Sequence, residues 1–269
     1  MKKLFLALIS LLVFWALFIE PNSLTVTNLN VKISGLRGLK VVFIGDLHIK
    51  TNQKKRLDEI VKKINEQHPD LILSAGDFVS GHEPKQSLAI EEIAKSLSIL
   101  KPKYGFYAVL GNHDWWQGGE RIKKVLVNNG IIVLSNENKV VDVKGKKLYI
   151  AGVEDMSTRN IDLVKALKNV QHPAILMTHT PDVFPFVAGK ASSNIVGVVD
   201  LTLAGHTHGG QINIPFIGPL VVPSRYGAKY AQGLIERNDK TMFVTKGIGT
   251  SILPVRFNCS PEIVVIDFN

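Results

Sequence analysis

Five short apolar runs, each broken off by potential metal ligands, constrain this 269-residue chain more than any other feature. Residues 41–44 lead into Gly45-Asp46-Leu47-His48, residues 71–74 into Ala75-Gly76-Asp77, and residues 106–110 into Gly111-Asn112-His113-Asp114. Residues 174–178 are followed by His179, and residues 201–204 by Gly205-His206-Thr207-His208. Such runs read as buried strands. The stretches between them, 54–67, 86–100, 118–128 and 160–169, have helical character, and this alternation predicts an α/β architecture. Ligands of open α/β sheets bind in the crevice beyond the carboxyl ends of the strands, so all five clusters can converge there. Residues 139–152, 241–246 and 262–268 read as further strands without long helices between them, which predicts a second, partly antiparallel sheet.

Taken singly, the clusters have ordinary explanations. Asp77 could be a turn or N-cap residue, and Asp46-Leu47-His48 a capping aspartate beside a surface histidine. Their recurrence at one structural position points to a shared site. Mixed imidazole and oxygen donors suit manganese, iron or zinc better than magnesium or calcium, which prefer all-oxygen shells. Asp77 stands alone on its strand end and is the natural bridge between two divalent ions. One ion would be held by Asp46, His48, His208 and the bridge, the other by Asn112, His179, His206 and the bridge. Two ions about 3.5–4 Å apart can lower the pKa of a bound water, orient the hydroxide for in-line attack on phosphorus, and stabilise the charged transition state.

The ordered set Gly-Asp-x-His, Gly-Asp, Gly-Asn-His-Asp, a lone His and Gly-His-Thr-His resembles the calcineurin-like metallophosphoesterase superfamily over residues 40–215. That resemblance implies a four-layer α-β-β-α sandwich of two mixed sheets flanked by helices. It also implies that His113 meets the substrate phosphate and assists leaving-group protonation, with Asp114 as an orienting partner; the near-neutral pKa of histidine suits the task. The longer segments at 205–211, 223–227 and 246–250, with Arg256-Phe257, are similar to a bacterial membrane-associated branch. Its members cleave UDP-2,3-diacylglucosamine or related phospholipid-like phosphodiesters, which implies an anionic, lipid-linked substrate.

Residues 4–19 form an uncharged apolar run behind Lys2 and Lys3. As a helix this run is about 24 Å long, slightly short of the ~30 Å hydrocarbon core. No small-x-small cleavage site follows it. The expected division is an anchor in the cytoplasmic membrane at 1–20, a tether with an edge strand at 21–38, and a metallophosphoesterase domain at 39–269. Lys32 and Arg37 match Lys2 and Lys3 across the run, so the membrane face stays open. The net charge of +9 suits phosphorylated substrate, acidic lipid or nucleic acid, or serves solubility alone. No aromatic-lined nucleic-acid groove is identifiable, so nucleic acid is not an expected partner, and no obligate protein partner is inferred. A single cysteine, Cys259, excludes an internal disulfide framework and a cysteine zinc cluster. The absence of a P-loop pattern argues against a kinase or ATPase.

Three functions follow. The first is hydrolysis of a phosphodiester or pyrophosphate in a membrane-associated lipid. The second is a nuclease or cyclic-nucleotide phosphodiesterase, and the third a non-catalytic membrane scaffold, which should lack some of the ligands. Outside the metal shell, Trp115 and Trp116 line a groove or pack in the core. Arg225, Lys229 and Arg256 receive phosphate or are surface charges, and His82 touches substrate or is solvated.

Overall fold

The computed structural model describes residues 1–189 and 194–269. Helix α1 (Lys2–Phe14) continues through Trp15–Ile19 and a last turn at Glu20–Asn22, and strand β1 (Thr25–Val31) follows. The chain then alternates β2 (Lys40–Ile44), α2 (Lys54–Asn65), β3 (Leu71–Ser74), α3 (Ile90–Leu97) and β4 (Phe106–Ala108). Helices α4 (Asn112–Trp116) and α5 (Gly119–Asn128) lead to β5 (Ile131–Val133). A hairpin of β6 (Glu137–Val143) and β7 (Lys146–Gly152) is followed by α6 (Leu163–Ala166), β8 (Ala174–Met177), α7 (Phe184–Val187), α8 (Asn194–Gly197) and β9 (Leu201–Ala204). The short hairpin β10 (Asn213–Ile214) and β11 (Gly218–Pro219) precedes β12 (Gly233–Arg237), β13 (Lys240–Val244) and β14 (Glu262–Phe268).

The strands make two large mixed sheets, ordered β1-β14-β2-β3-β4-β5 and β12-β13-β9-β8-β7-β6. Alternation along the central strands builds the layers, because successive side chains point to opposite faces. Val41 and Phe43 of β2 and Leu71 and Leu73 of β3 turn inward and meet Ile150, Ile175, Met177, Leu201 and Leu203 of the second sheet. Val42, Ile44 and Ile72 turn outward against Leu57, Ile60, Val61 and Ile64 of α2, and Ile93 and Leu97 of α3. On the far side, Ala151, Leu176 and Val244 pack under Ala166, Phe184 and Val187. The result is a four-layer α-β-β-α sandwich, as the sequence resemblance implies.

Residues 262–268 differ from expectation. They do not enter the second sheet; β14 lies in the first, parallel to β1 and antiparallel to β2. Hydrophobic alternation identifies a strand but not its neighbour. Of residues 160–169, only the turn Leu163–Ala166 is helical, started by the Asp162 side chain accepting from the Lys165 amide (2.9 Å) and ended before Asn169 at φ 61°. In the stretch 86–100, α3 starts at Ile90, because the Ser87 hydroxyl donates to the Ile49 carbonyl (3.0 Å) and accepts from the Ser80 amide (3.1 Å). Within residues 21–38, β1 is an edge strand, and Leu29, Ile33 and Leu36 are buried between the sheets.

Residues Lys2–Asn22 form a single helical run long and apolar enough to cross a membrane. Its start is exposed and its end is docked. Ala16, Glu20 and Pro21 are buried. The Glu20 carboxylate accepts from the amides of Asn258 (3.0 Å) and Cys259 (2.5 Å) and from the Trp15 indole (3.1 Å). The Arg256 amide donates to the Ala16 carbonyl (3.0 Å), and the Arg56 guanidinium donates to the Pro21 carbonyl (2.6 Å).

Candidate metal centre

The ends of β2, β3, β4, β8 and β9 carry the five clusters to one place between the two sheets. Asp46, His48, Asp77, His206 and His208 all have positive φ, from 42° to 72°. Non-glycine residues adopt this region at a cost, and strain of this kind concentrates at functional sites. Gly111 is required by close approach, since a Cβ there would collide with the Asp77 carboxylate and the His179 ring. Gly209 and Gly210, at φ 63° and 78°, make the tight turn after His208.

The donor atoms fall into two sets joined at Asp77. In the first, His48 Nε2 lies 3.1 Å from His208 Nε2, and His208 Nε2 lies 3.8 Å from an Asp46 oxygen. In the second, His179 Nε2 lies 3.0 Å from Asn112 Oδ1 and 3.1 Å from His206 Nδ1. Asp77 Oδ2 stands 3.3 Å from His48 Nε2 and 3.4 Å from His179 Nε2, so one carboxylate oxygen reaches both sets. All seven side chains expected as ligands are therefore brought together. Six of them are buried, and His206 is half-buried.

This donor set fits divalent cations. Asp46, His48 and His208, and likewise Asp46, Asp77 and His179, each offer three ligand atoms within 4.8 Å of one another. Imidazole nitrogens facing each other at 3.1 Å share one proton in a hydrogen bond or converge on one cation. The Nδ1 atoms of His48 and His208 are buried with no hydrogen-bond partner among the described residues, so both rings act through Nε2. Electrostatics point the same way. Burial raises the Asp77 carboxyl, but the charge and hydrogen bond of His179, with the hydrogen bond of His48, outweigh it and hold it well below the usual carboxylate range. Burial pulls His179 down, yet Asp77, Asp46 and Asp155 lift it to about 10, so the ring carries the positive charge those carboxylates draw in and gives up its proton when an ion takes that place. Burial and the His48 charge push His208 well below the usual histidine range, leaving the neutral imidazole that ligates metals.

His113 stands beside the first set, its ring 4.5 Å from the His48 ring and its amide donating to Asp77 Oδ1 (2.9 Å). Its Nδ1 pairs with the Gly81 carbonyl (2.8 Å), and its Nε2 faces the Ser251 hydroxyl at 3.5 Å. Burial pushes His113 down to about 4 against the opposing charge of Asp77. Asp114 is not the partner of the His113 ring. Its carboxylate accepts from the amides of Asp77 (2.8 Å), Phe78 (2.9 Å), Val79 (3.3 Å) and Gly111 (3.0 Å), so it shapes the two loops that present Asp77 and Asn112.

The residues outside the metal shell separate clearly. Trp115 packs against the first sheet's helix-side core, under the Arg159 guanidinium at 4.4 Å. Trp116 is 45% exposed and stacks on His82 (4.2 Å, 11°), with His113 edge-on at 4.6 Å. His82 is thus part of the rim. Arg225 and Lys229 are exposed. Arg256 is neither a surface charge nor open to phosphate: its guanidinium is fully buried and donates to the carbonyls of Lys246 (2.8 Å), Gly247 (3.2 Å), Gly249 (2.6 Å) and Cys259 (2.9 Å). Near the site, sequence reasoning missed the buried carboxylates of Asp155 and Asp182. Asp155 accepts from the hydroxyls of Ser157 (2.5 Å), Thr158 (2.7 Å) and Thr180 (2.6 Å), next to His179. Asp182 accepts from the Ser224 hydroxyl (2.5 Å) and the Arg225 amide (2.9 Å). Asp155 follows the end of β7 as the ligands follow theirs, and that position was its one available signal.

Two stacked mixed sheets with a buried carboxylate and imidazole cluster at their strand ends define a metal-dependent phosphoesterase. The chain belongs to the calcineurin-like phosphoesterase family, whose model matches residues 39–210. It is 31% identical to the uncharacterized metallophosphoesterase YkuE of Bacillus subtilis (strain 168), over 93% of this chain and 87% of that one. It is 30% identical to the phosphodiesterase YaeI of Escherichia coli (strain K12), over 85% of this chain and 81% of that one. A transmembrane protein with a metallophosphoesterase domain from Danio rerio is 29% identical, over 86% of this chain and 53% of its own length.

Proposed function

We propose that Asp46, His48, Asp77, Asn112, His179, His206 and His208 hold two divalent ions, and that the site hydrolyses a phosphodiester or pyrophosphate in a membrane-associated, lipid-linked substrate. The observation that carries this reading is the single oxygen of Asp77, within 3.4 Å of an imidazole from each set. Divalent ions bound there supply Lewis acidity to water and to the phosphoryl oxygens. The chain's own residues orient the reaction. Because Nδ1 of His113 must donate to the Gly81 carbonyl, the proton that can move is the one on Nε2. In the neutral ring Nε2 is bare; it takes up a proton from solvent when an anionic phosphate beside it favours the imidazolium, passes that proton to the leaving oxygen, and has Ser251 at its side. Asp114 positions Asp77 and the turn before Asn112 and does not meet substrate. Residues 1–20 anchor the chain in the cytoplasmic membrane, and residues 39–269 carry the catalysis.

A second reading is a nucleotide phosphodiester substrate. It is favoured by the His82–Trp116 stack at the rim, an exposed face on which a base can lie. The test is manganese-supported hydrolysis of bis(4-nitrophenyl) phosphate by wild type, Asp77→Asn and His113→Ala, followed by lipid diphosphates and cyclic nucleotides in one assay. Activity lost in both variants supports the two-ion hydrolase. Wild-type silence with every divalent metal would sink it, and preference between the two substrate classes decides the second question.

A further inference from the structure

Two loops at the rim of the site expose large apolar side chains. The hairpin β10–β11 and its continuation present Phe216 (109% exposed), Ile217, Leu220 and Val221; the loop after β13 presents Ile252 (98% exposed) and Leu253. Large apolar side chains exposed together on linked loops mark a contact with protein or membrane. Neither loop is a loose flap. Gln211 binds them together: its amide donates to the carbonyl of Ser251 (3.1 Å), and its oxygen accepts from the Ser251 amide (2.7 Å). The Phe257 amide donates to the Gln211 carbonyl (2.9 Å), and the Leu220 amide to the Ile212 carbonyl (3.1 Å).

Both loops issue directly from the metal centre. The hairpin follows His208 by a few residues, and Ser251 faces His113. Both also join the apolar N-terminal helix. Three residues after Leu253, the Arg256 amide reaches the Ala16 carbonyl of that helix (3.0 Å). Between the helix end and the second loop lies a cavity of about 120 Å³, lined on one side by Leu17 and Pro21 and on the other by Thr250 and Pro254. Lys50 and Arg56 line it too. The described partners of these cations are hydroxyl, amide and carbonyl oxygens, with no carboxylate among them.

We propose that Phe216, Ile217, Leu220, Val221, Ile252 and Leu253 form a membrane-docking face that seats in an anionic bilayer beside the N-terminal helix, with the metal centre opening at headgroup level. Apolar side chains rimmed by cationic groups are the pattern of an interfacial anchor. The bilayer is the occupant because the face is continuous with a helix that has the length and apolarity to cross it. The proposal rests on the membrane-anchor reading given above but not on the lipid-substrate reading.

The test uses the full chain in vesicles of phosphatidylethanolamine and phosphatidylglycerol. Phe216→Cys, Ile252→Cys and, as a control, Val164→Cys on exposed α6 each receive an environment-sensitive fluorophore, and spin-labelled lipid serves as quencher. Quenching at 216 and 252 but not at 164 is the expected result. Emission at 216 and 252 that is no more quenched than at 164 overturns the proposal. In parallel, Phe216→Ser with Ile252→Ser keeps wild-type hydrolysis of bis(4-nitrophenyl) phosphate and loses at least roughly tenfold on a vesicle-borne phosphodiester. Quenching without wild-type hydrolysis of the vesicle-borne ester removes the lipid-substrate reading and leaves the docking face standing. Hydrolysis without quenching does the reverse.

Discussion

Asp114 is buried beneath the ligand loops, where four amides converge on its two oxygens. Burial and the charge of Asp77 push its carboxyl up to about 7, while the amides of Gly111 and Val79 pull it back. Asp114→Asn replaces one acceptor oxygen by a donor facing amides, so it should cost about 1–3 kcal/mol of stability. It should also weaken metal binding by about 10–100-fold, as expected for a group that orients ligands. Urea unfolding and a metal titration check the two effects, and a wild-type affinity for manganese would refute the positioning role. Asp155 gives a pH-dependent case. Burial raises its carboxyl, but the charge of His179 and three hydroxyl bonds bring it below the ordinary range. A carboxyl depressed in the folded state stabilises fully above its unfolded pKa and loses that contribution as pH falls through the folded value. Asp155→Asn should therefore be destabilised by about 2 kcal/mol at neutral pH, and urea midpoints should draw together as the pH falls below the ordinary carboxylate range. A gap that stays constant with pH would contradict this account.

At the scale of elements, Arg256 ties the loop 246–249 to the segment 256–260, and through it the end of the apolar helix to the domain. Its planar fork reaches four carbonyls at once, which one ammonium cannot do. Arg256→Lys should lose about 3 kcal/mol or more, close to the loss in Arg256→Met, because lysine buries a charge with too few partners and methionine leaves the four carbonyls without a donor. Urea unfolding of the two variants side by side checks this; rescue by lysine would show that charge alone matters there. The same residue shows where the sequence stops being legible. Candidate-ligand clusters at strand ends are local patterns, so all seven residues of the proposed metal site could be picked out from apolar runs and the residues just after them. Arg256, Glu20 and Asp182 act on partners far away in the chain or on backbone carbonyls, and nothing local distinguishes them from surface charges. For the same reason β14 was recognisable as a strand while its place in the first sheet was not.

Across the whole molecule, the site takes ligands from both sheets, so ions bound there hold the halves of the sandwich together. Chelation should lower the midpoint of thermal unfolding, and manganese at about one hundred times its dissociation constant should restore about 2.7 kcal/mol per occupied site. In Asp77→Asn the restoration should shrink; equal recovery in both proteins would show that the ions bind elsewhere. The position of β14 has a further consequence. This strand comes after every other strand in the chain, yet it sits in the interior of the first sheet, beside the β2 strand that presents Asp46 and His48. A ribosome will have delivered the N-terminal helix and every proposed metal ligand long before it delivers β14. From the synthesis of His208 until that of β14, the nascent protein holds all the proposed ligands while β2 has β3 on one side and an open edge on the other.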